Sequence, residues 1–179
     1  MILQRYKLVF AGSMGAGKST AIQTISSIDV LSTEAINTDL NAHKKAQTTV
    51  GIDYGELILE DGNIVGLYGT PGQERFDFIW DIITEGALGV ILLIDHTTEN
   101  PIEQLNEYLT YYKAKLSNII IGITHLDNKA QYDSSIYHEW LDQQDINYPL
   151  FLIDARDKKD ILLLVDVLIT QAEVLFELN

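Results

Sequence analysis

Short apolar runs alternate with amphipathic stretches along the whole chain, which predicts strands and helices in turn. Predominantly apolar runs of strand length lie at residues 7–11, 88–94, 118–124 and 150–153. Such runs are typical of strands that are buried on both faces of a parallel sheet. Two further strands are predicted at residues 52–59 and 64–68, joined through Asp61-Gly62, a pair that favours a tight hairpin turn.

Apolar residues at helical spacing predict five helices between and after these strands. The first helix begins at residue 18, and the second covers about 76–83 and is stopped at Gly86. The third begins at residue 101, and the last two cover 136–143 and 158–177. The third has a typical helix start, with Asn100 in the capping position and Pro101 in the first turn. The segment 29–49 is polar and is predicted to be irregular, and long irregular segments in compact domains are usually functional or disordered.

This order of elements predicts one three-layer α/β/α sandwich domain that covers residues 1–179. We expect a sheet of six strands, mostly parallel, with one antiparallel hairpin. In sheets of this kind ligands bind at the carboxyl ends of the strands.

The charge balance narrows the range of partners. The chain has 12 basic and 26 acidic residues, a net charge of −14, which disfavours nucleic acid and anionic membranes as direct partners. Cysteine is absent, which is compatible with a reducing compartment. No uncharged apolar run reaches the roughly 18 residues of a membrane span. We therefore expect a cytoplasmic monomer without direct membrane insertion.

The strongest chemical signal is a glycine-rich segment directly after the first predicted strand, at residues 12–20. It fits the P-loop pattern G-x-x-x-x-G-K-[ST], in which backbone N–H groups surround a triphosphate. Lys18 is expected to reach the β- and γ-phosphates, and the Ser19 hydroxyl to bind Mg²⁺. The predicted phosphate-binding residues here are Gly12, Ser13, Met14, Gly15, Ala16, Gly17, Lys18, Ser19 and Thr20.

Four further segments follow in an order that resembles the Ras-like small GTPases over nearly the whole chain. They are Thr48-Thr49-Val50-Gly51, Gly69-Thr70-Pro71-Gly72-Gln73-Glu74-Arg75-Phe76, Thr124-His125-Leu126-Asp127 and Asp154-Ala155-Arg156. Their character is most similar to the bacterial gliding-motility (MglA) type and to Arf-like members. The resemblance implies GTP and GDP as ligands, Mg²⁺ as cofactor, and a molecular switch that hydrolyses GTP to GDP.

The resemblance also implies catalytic and metal-binding roles. Thr49 corresponds to the switch I threonine, which binds Mg²⁺ together with Ser19. Gly72 would donate its N–H to the γ-phosphate, and Gln73 would orient the attacking water with Lys18 and Thr49 as the other catalytic residues. The family's metal-supporting aspartate is Gly69 here, so we expect an unusually shallow Mg²⁺ requirement.

Base recognition is implied by the last two segments. The Asp127 carboxylate would accept hydrogen bonds from guanine N1–H and N2–H₂, whereas adenine presents a lone pair at N1. Thr124 and His125 replace the family's asparagine and lysine. The Ala155 N–H would meet guanine O6, and the Arg156 stem would cover the base.

The resemblance implies proteins as partners, which bind the switch segments as activating or exchange factors (GAP or GEF), with a roadblock-type regulator as one candidate. Intrinsic hydrolysis is expected to be slow, because Met14 stands where Ras commonly has glycine and residues 29–50 contain no arginine. Arg75 is an alternative source of an arginine finger.

Two other functions stay open: a nucleotide-binding scaffold without turnover, and a P-loop ATPase or small-molecule kinase. A kinase lid is disfavoured by the presence of only three arginines, Arg5, Arg75 and Arg156.

Overall fold

The structure, a computed structural model, describes residues 5–36, 49–72, 77–127, 134–144 and 147–177. The strands are β1 (Arg5–Ala11), β2 (Leu31–Ile36), β3 (Thr49–Ile58), β4 (Ile64–Gly69), β5 (Gly89–Asp95), β6 (Ile119–Thr124) and β7 (Leu150–Leu152). The helices are α1 (Lys18–Ile25), α2 (Asp77–Thr84), α3 (Pro101–Lys113), α4 (Ser135–Gln143) and α5 (Lys158–Glu177). The predicted α/β class is confirmed, and α5 has the predicted bounds.

The described strands form one sheet in the order β2-β3-β4-β1-β5-β6-β7. Strand β1 pairs in parallel with β4 and β5, and β6 pairs in parallel with β5 and β7. Strands β2 and β3, and also β3 and β4, are antiparallel. The mostly parallel sheet and its antiparallel hairpin are therefore confirmed.

The predicted count of six strands is wrong, because β2 adds a seventh from within the segment 29–49 that was expected to be irregular. Among the described strands β2 lies at the edge of the sheet, where it pairs with β3. An edge strand needs no continuous apolar run, since one of its sides faces solvent. Its sequence, LSTEAI, consequently has no strong strand pattern.

Two separate cores on the faces of the sheet give the molecule its three layers. On one face α2, α3 and α4 bury Trp80, Tyr112 and Tyr137 against β5 and β6. On the other face α1 and α5 bury Ile22 and Leu164 against β1 and β4. Asn100 occupies the capping position of α3 as predicted, but its side chain makes no capping hydrogen bond.

The parallel strands place their carboxyl ends at one edge of the sheet. The P-loop follows β1, residues 70–72 follow β4, residues 125–127 follow β6, and residues 153–156 follow β7. Segments that are far apart in sequence therefore meet at this edge. Within the described ranges, no helix combines the length and apolarity that a membrane crossing requires.

Candidate nucleotide-binding site

The P-loop connects β1 to α1 through a backbone that depends on glycine. Gly12, Gly15 and Gly17 have φ values of 141°, 86° and 100°, which side chains disfavour. A Cβ atom on Gly12 would lie 2.1 Å from the carbonyl oxygen of Leu93 in β5. A Cβ atom on Gly17 would lie 3.0 Å from that of Ala155. The loop therefore lies directly against both the sheet and the segment after β7.

Lys18 lies inside the curl of this loop. Its side chain is buried, and Nζ donates to the carbonyl oxygens of Gly12 at 2.7 Å and Ser13 at 2.6 Å. Burial lowers the pKa of Lys18 from 10.5 to about 8, and the nearby Asp53 carboxylate opposes that shift. The arrangement holds a cation where the loop N–H groups would bind phosphate.

Asp53 on β3 is the site residue that sequence reasoning missed. The Ser19 hydroxyl donates to Asp53 Oδ2, and the Ser32 hydroxyl donates to Oδ1 at 2.5 Å. Asp53 is the register partner of Gly69 on β4. The neighbouring strand thus supplies a carboxylate beside the predicted metal-binding serine. The shallow Mg²⁺ requirement that Gly69 predicts stays a prediction, and the Asp53 carboxylate argues for a stronger metal site.

Gly69 leaves space for the Asp53 side chain on the neighbouring strand. A Cβ atom there would lie 3.2 Å from Cβ of Asp53 and 3.0 Å from Cδ1 of Ile22. A side chain on β4 would therefore crowd the carboxylate that β3 provides. An aspartate at position 69 would therefore compete with Asp53 for part of the same space.

The segment after β4 is fixed to β1 and α2 by hydrogen bonds, and its Gly72 lies against the P-loop. The Thr70 N–H donates to the carbonyl oxygen of Phe10 at 2.9 Å, and Trp80 Nε1 donates to the carbonyl oxygen of Pro71 at 2.9 Å. A Cβ atom on Gly72 would lie 2.3 Å from the backbone nitrogen of Met14. Only glycine allows this close approach to the P-loop, and the donation of the Gly72 N–H to the γ-phosphate stays a prediction.

Gln73, Arg75 and Thr48 lie outside the described residues. Thr49 begins β3, where its backbone pairs with Ile36. The roles of Gln73 and Thr49 therefore stay predictions.

A pocket of about 200 Å³ lies beside the P-loop. It joins three of the predicted segments, and its lining includes Gly17, Thr20, His125, Asp127, Ala155 and Arg156. The predicted base-binding residues are thus together, next to the phosphate loop. A pocket in this position can hold the planar base of a nucleotide whose phosphates extend into the P-loop.

Thr124 and His125 hold the P-loop in place. Thr124 is buried, and its hydroxyl lies 2.9 Å from the carbonyl oxygen of Ala16 and 3.2 Å from that of Ile94. His125 has φ of 60°, and its Nε2 lies 2.8 Å from the carbonyl oxygen of Gly15. Both side chains line the pocket, but their polar atoms contact the loop backbone.

An ionic bridge crosses the mouth of the pocket. Arg156 contacts both carboxylate oxygens of Asp154, through Nε at 2.9 Å and NH2 at 2.8 Å. The same NH2 group donates to Asp127 Oδ1 at 3.0 Å. Asp154 and then Asp127 raise the pKa of Arg156, which stays charged. Among the described residues, this bridge contacts Asp127 through Oδ1.

Together, the P-loop at the end of β1, the glycine segment packed on it and the adjoining pocket define a nucleotide-binding domain with the Ras-like P-loop GTPase fold. The chain belongs to the family described as "Conserved hypothetical ATP binding protein", whose model matches residues 27–166. That match begins after the P-loop.

Comparison with known proteins agrees with this fold. The chain is similar to the Ras-related protein RABE1e of Arabidopsis thaliana, with 31% identity over 132 residues that cover 72% of this chain and 55% of the relative. An uncharacterised protein of Methanocaldococcus jannaschii is 33% identical over 89 residues, 50% of each protein. The chain thus spans about half the length of these curated relatives.

A solved structure extends the comparison to nearly the whole domain. The G domain of the FeoB iron transporter of T. maritima matches with a TM-score of 0.65 over 94% of this chain and 99% of its own. Sequence identity is 18%, so the likeness concerns the fold. The closer resemblance to MglA-type and Arf-like proteins stays a prediction.

Proposed function

We propose that this domain binds GTP and GDP with Mg²⁺ and hydrolyses GTP slowly, as a molecular switch. The observation that carries the proposal is the pocket in which Asp127 and Ala155 adjoin Gly17 of the P-loop. A guanine nucleotide needs both parts side by side, the pocket for its base and the loop for its phosphates. The similarity to Ras-related proteins supports the same function.

Guanine is favoured over adenine by the charge at the pocket mouth. The Asp127 carboxylate is an acceptor, and guanine offers two donors on one edge, N1–H and N2–H₂. Charge-assisted hydrogen bonds of this kind are roughly twice as strong as neutral ones. Adenine would place the N1 lone pair against the carboxylate. The bridge from Arg156 occupies one position on Oδ1, and each carboxylate oxygen accepts more than one hydrogen bond.

The donor set beside the phosphate loop fits Mg²⁺. Mg²⁺ prefers oxygen ligands and is usually bound by one or two carboxylates together with substrate phosphates and waters. Ser19 and Asp53 present a hydroxyl and a carboxylate in direct contact. We propose that these two residues, with Thr49, hold the ion. When bound, Mg²⁺ neutralises negative charge on the β- and γ-phosphate oxygens.

The described side chains near the phosphate loop support slow turnover, and Arg75 stays the alternative source of an arginine finger within the chain. Among the described residues the arginines are Arg5, at the start of β1, and Arg156, at the base pocket. Neither lies at the γ-phosphate end of the loop. An arginine finger accelerates hydrolysis by roughly 10³–10⁵. We propose that Gln73 orients the water and that a partner protein provides the missing acceleration.

The partner surface is proposed at the switch II side of the domain. Phe78 and Ile82 lie one helical turn apart on α2 and expose 58% and 67% of their areas. Met14 on the P-loop exposes 74%. A regulator that contacts this side would reach both the phosphate loop and the segment around Gly72. Activating, exchange and roadblock-type proteins are the candidates.

ATP is the second candidate ligand, and the description of the matched family favours it. Competition against a fluorescent GDP analogue separates the two. We expect GTP and GDP to displace the analogue at concentrations at least 100-fold below ATP, a difference of about 2.7 kcal/mol. Equal displacement by ATP would contradict the guanine assignment.

Turnover needs its own measurement, because a scaffold would also bind GTP. Single-turnover hydrolysis by the isolated protein should be slow but measurable, and Gln73→Ala should reduce it further. A rate that is indistinguishable from that of GTP in buffer would favour the scaffold.

A further inference from the structure

Ser32, Asp53 and Gly69 form one row across three strands. Ser32 on β2 is the register partner of Asp53 on β3, and Asp53 is the register partner of Gly69 on β4. Side chains of directly opposite residues lie on the same face of a sheet. The row therefore presents a hydroxyl, a carboxylate and a position without a side chain.

Both oxygens of the Asp53 carboxylate receive a hydroxyl from a different element. Ser19 at the start of α1 donates to Oδ2, and Ser32 on the edge strand donates to Oδ1 at 2.5 Å. A carboxylate held by one oxygen can rotate about its side-chain bonds, whereas contacts at both oxygens fix its plane. The Ser32 contact therefore helps to fix the plane in which the carboxylate faces Ser19.

We propose that Ser32 is a positioning residue for the Mg²⁺ site, and that it acts by holding the Asp53 carboxylate. The proposal rests on the proposed function, because it requires the ion at Ser19 and Asp53. Hydrogen-bond partners of a metal-binding carboxylate typically change metal affinity by about 10- to 100-fold when they are removed. An effect of that size separates a positioning role from a merely structural one.

The fold itself has little need of the Ser32 hydroxyl. Six consecutive register pairs, from Leu31–Tyr54 to Ile36–Thr49, already join β2 to β3. Ser32 is exposed, so water replaces its hydrogen bond at little cost when the hydroxyl is removed. Loss of the hydroxyl should therefore change metal binding and leave the unfolding midpoint unchanged.

The test compares Ser32→Thr with Ser32→Val, two β-branched side chains of similar shape that differ in the hydroxyl. The first measurement is the Mg²⁺ concentration that half-maximally slows the release of a fluorescent GDP analogue. The second is Mg²⁺ binding to the GDP-loaded protein by calorimetry. We expect Ser32→Thr to resemble the wild type and Ser32→Val to need about tenfold more Mg²⁺. Ser32→Ala should match Ser32→Val, and it keeps the test intact if valine disturbs the strand.

Two controls separate the outcomes. Thr97→Val removes a hydroxyl that donates to another carboxylate, Asp95 Oδ1 at 2.6 Å, and should leave the Mg²⁺ requirement unchanged. Asp53→Asn should raise that requirement more than Ser32→Val does. If Asp53→Asn has its effect while Ser32→Val equals Ser32→Thr, the role of Ser32 is refuted and the metal site stands. If Asp53→Asn has no effect, the metal site itself is refuted, and the role of Ser32 with it.

Discussion

On the phosphate side of the site the predicted recognition groups are backbone N–H groups and a buried lysine, whereas on the base side the charged groups are exposed side chains. Lys18 is 8% exposed, and Gly12 lies against the backbone of β5. Asp127 and Arg156 expose 73% and 69% of their side chains. The phosphate half is therefore built into the fold, whereas the exposed Asp127 and Arg156 can change without affecting it. Substitutions in the phosphate half should affect folding, and substitutions of Asp127 and Arg156 should affect ligand choice.

The largest effect is expected from Gly12→Ala. Its Cβ would collide with the carbonyl oxygen of Leu93, so the loop or β5 must move, at a cost on the order of 3 kcal/mol or more. Gly15→Ala is the matched control. Its φ is also positive, but no described atom lies within 4 Å of the added Cβ, so only backbone strain of about 1–2 kcal/mol remains. Denaturant unfolding of both variants measures the difference, and equal losses would contradict the close approach of the loop to β5.

A smaller effect is expected from the titration of Lys18. Burial lowers its pKa from 10.5 to about 8, so between these pH values the unfolded chain binds more protons than the folded chain. The stability that depends on Lys18 should therefore rise with pH across this window and be flat below it. The measurement is the difference in unfolding free energy between the nucleotide-free wild type and Lys18→Met from below pH 8 to pH 10.5. A difference that does not change with pH would contradict the burial of a charged amine.

The smallest effect is expected from Arg156→Ala. Its ion pairs with Asp154 and Asp127 are exposed, and exposed pairs contribute little and are screened by salt. We expect GDP affinity to fall only a few fold at low ionic strength and the loss to shrink as salt is added. Arg156→Lys keeps a charge and a stem and should lose less. A large, salt-independent loss with unchanged unfolding would show that the bridge is a fixed part of base recognition.

The P-loop and the parallel strands could be predicted from the sequence, whereas features that depend on how the strands pair could not. The P-loop follows from residue types, because only glycines permit its backbone and only a lysine at that spacing reaches its centre. The parallel strands follow from their apolar runs. Strand β2 was missed because a polar edge strand has no strong pattern of its own.

Asp53 was missed because its role comes from strand pairing. The motif at residue 69 lacks its aspartate, and nothing in the residues next to it indicates a replacement. The predicted hairpin contains the missing information: when Ile58 pairs with Ile64, Asp53 is opposite Gly69. Thr124 and His125 were assigned to the base from the resemblance, and their contacts with the P-loop backbone depend on the assembled fold.

The most direct test of the guanine assignment is a change of ligand preference by Asp127→Asn. Asparagine presents an amide donor where the carboxylate accepts, and xanthine has a carbonyl where guanine has its 2-amino group. The measurement is the ratio of dissociation constants for xanthosine and guanosine diphosphates in the wild type and the variant. We expect the wild type to prefer guanosine diphosphate and the variant to prefer xanthosine diphosphate, with unfolding unchanged because Asp127 is exposed. A variant that binds both nucleotides in the wild-type ratio would contradict the account, because base recognition would then not pass through Asp127.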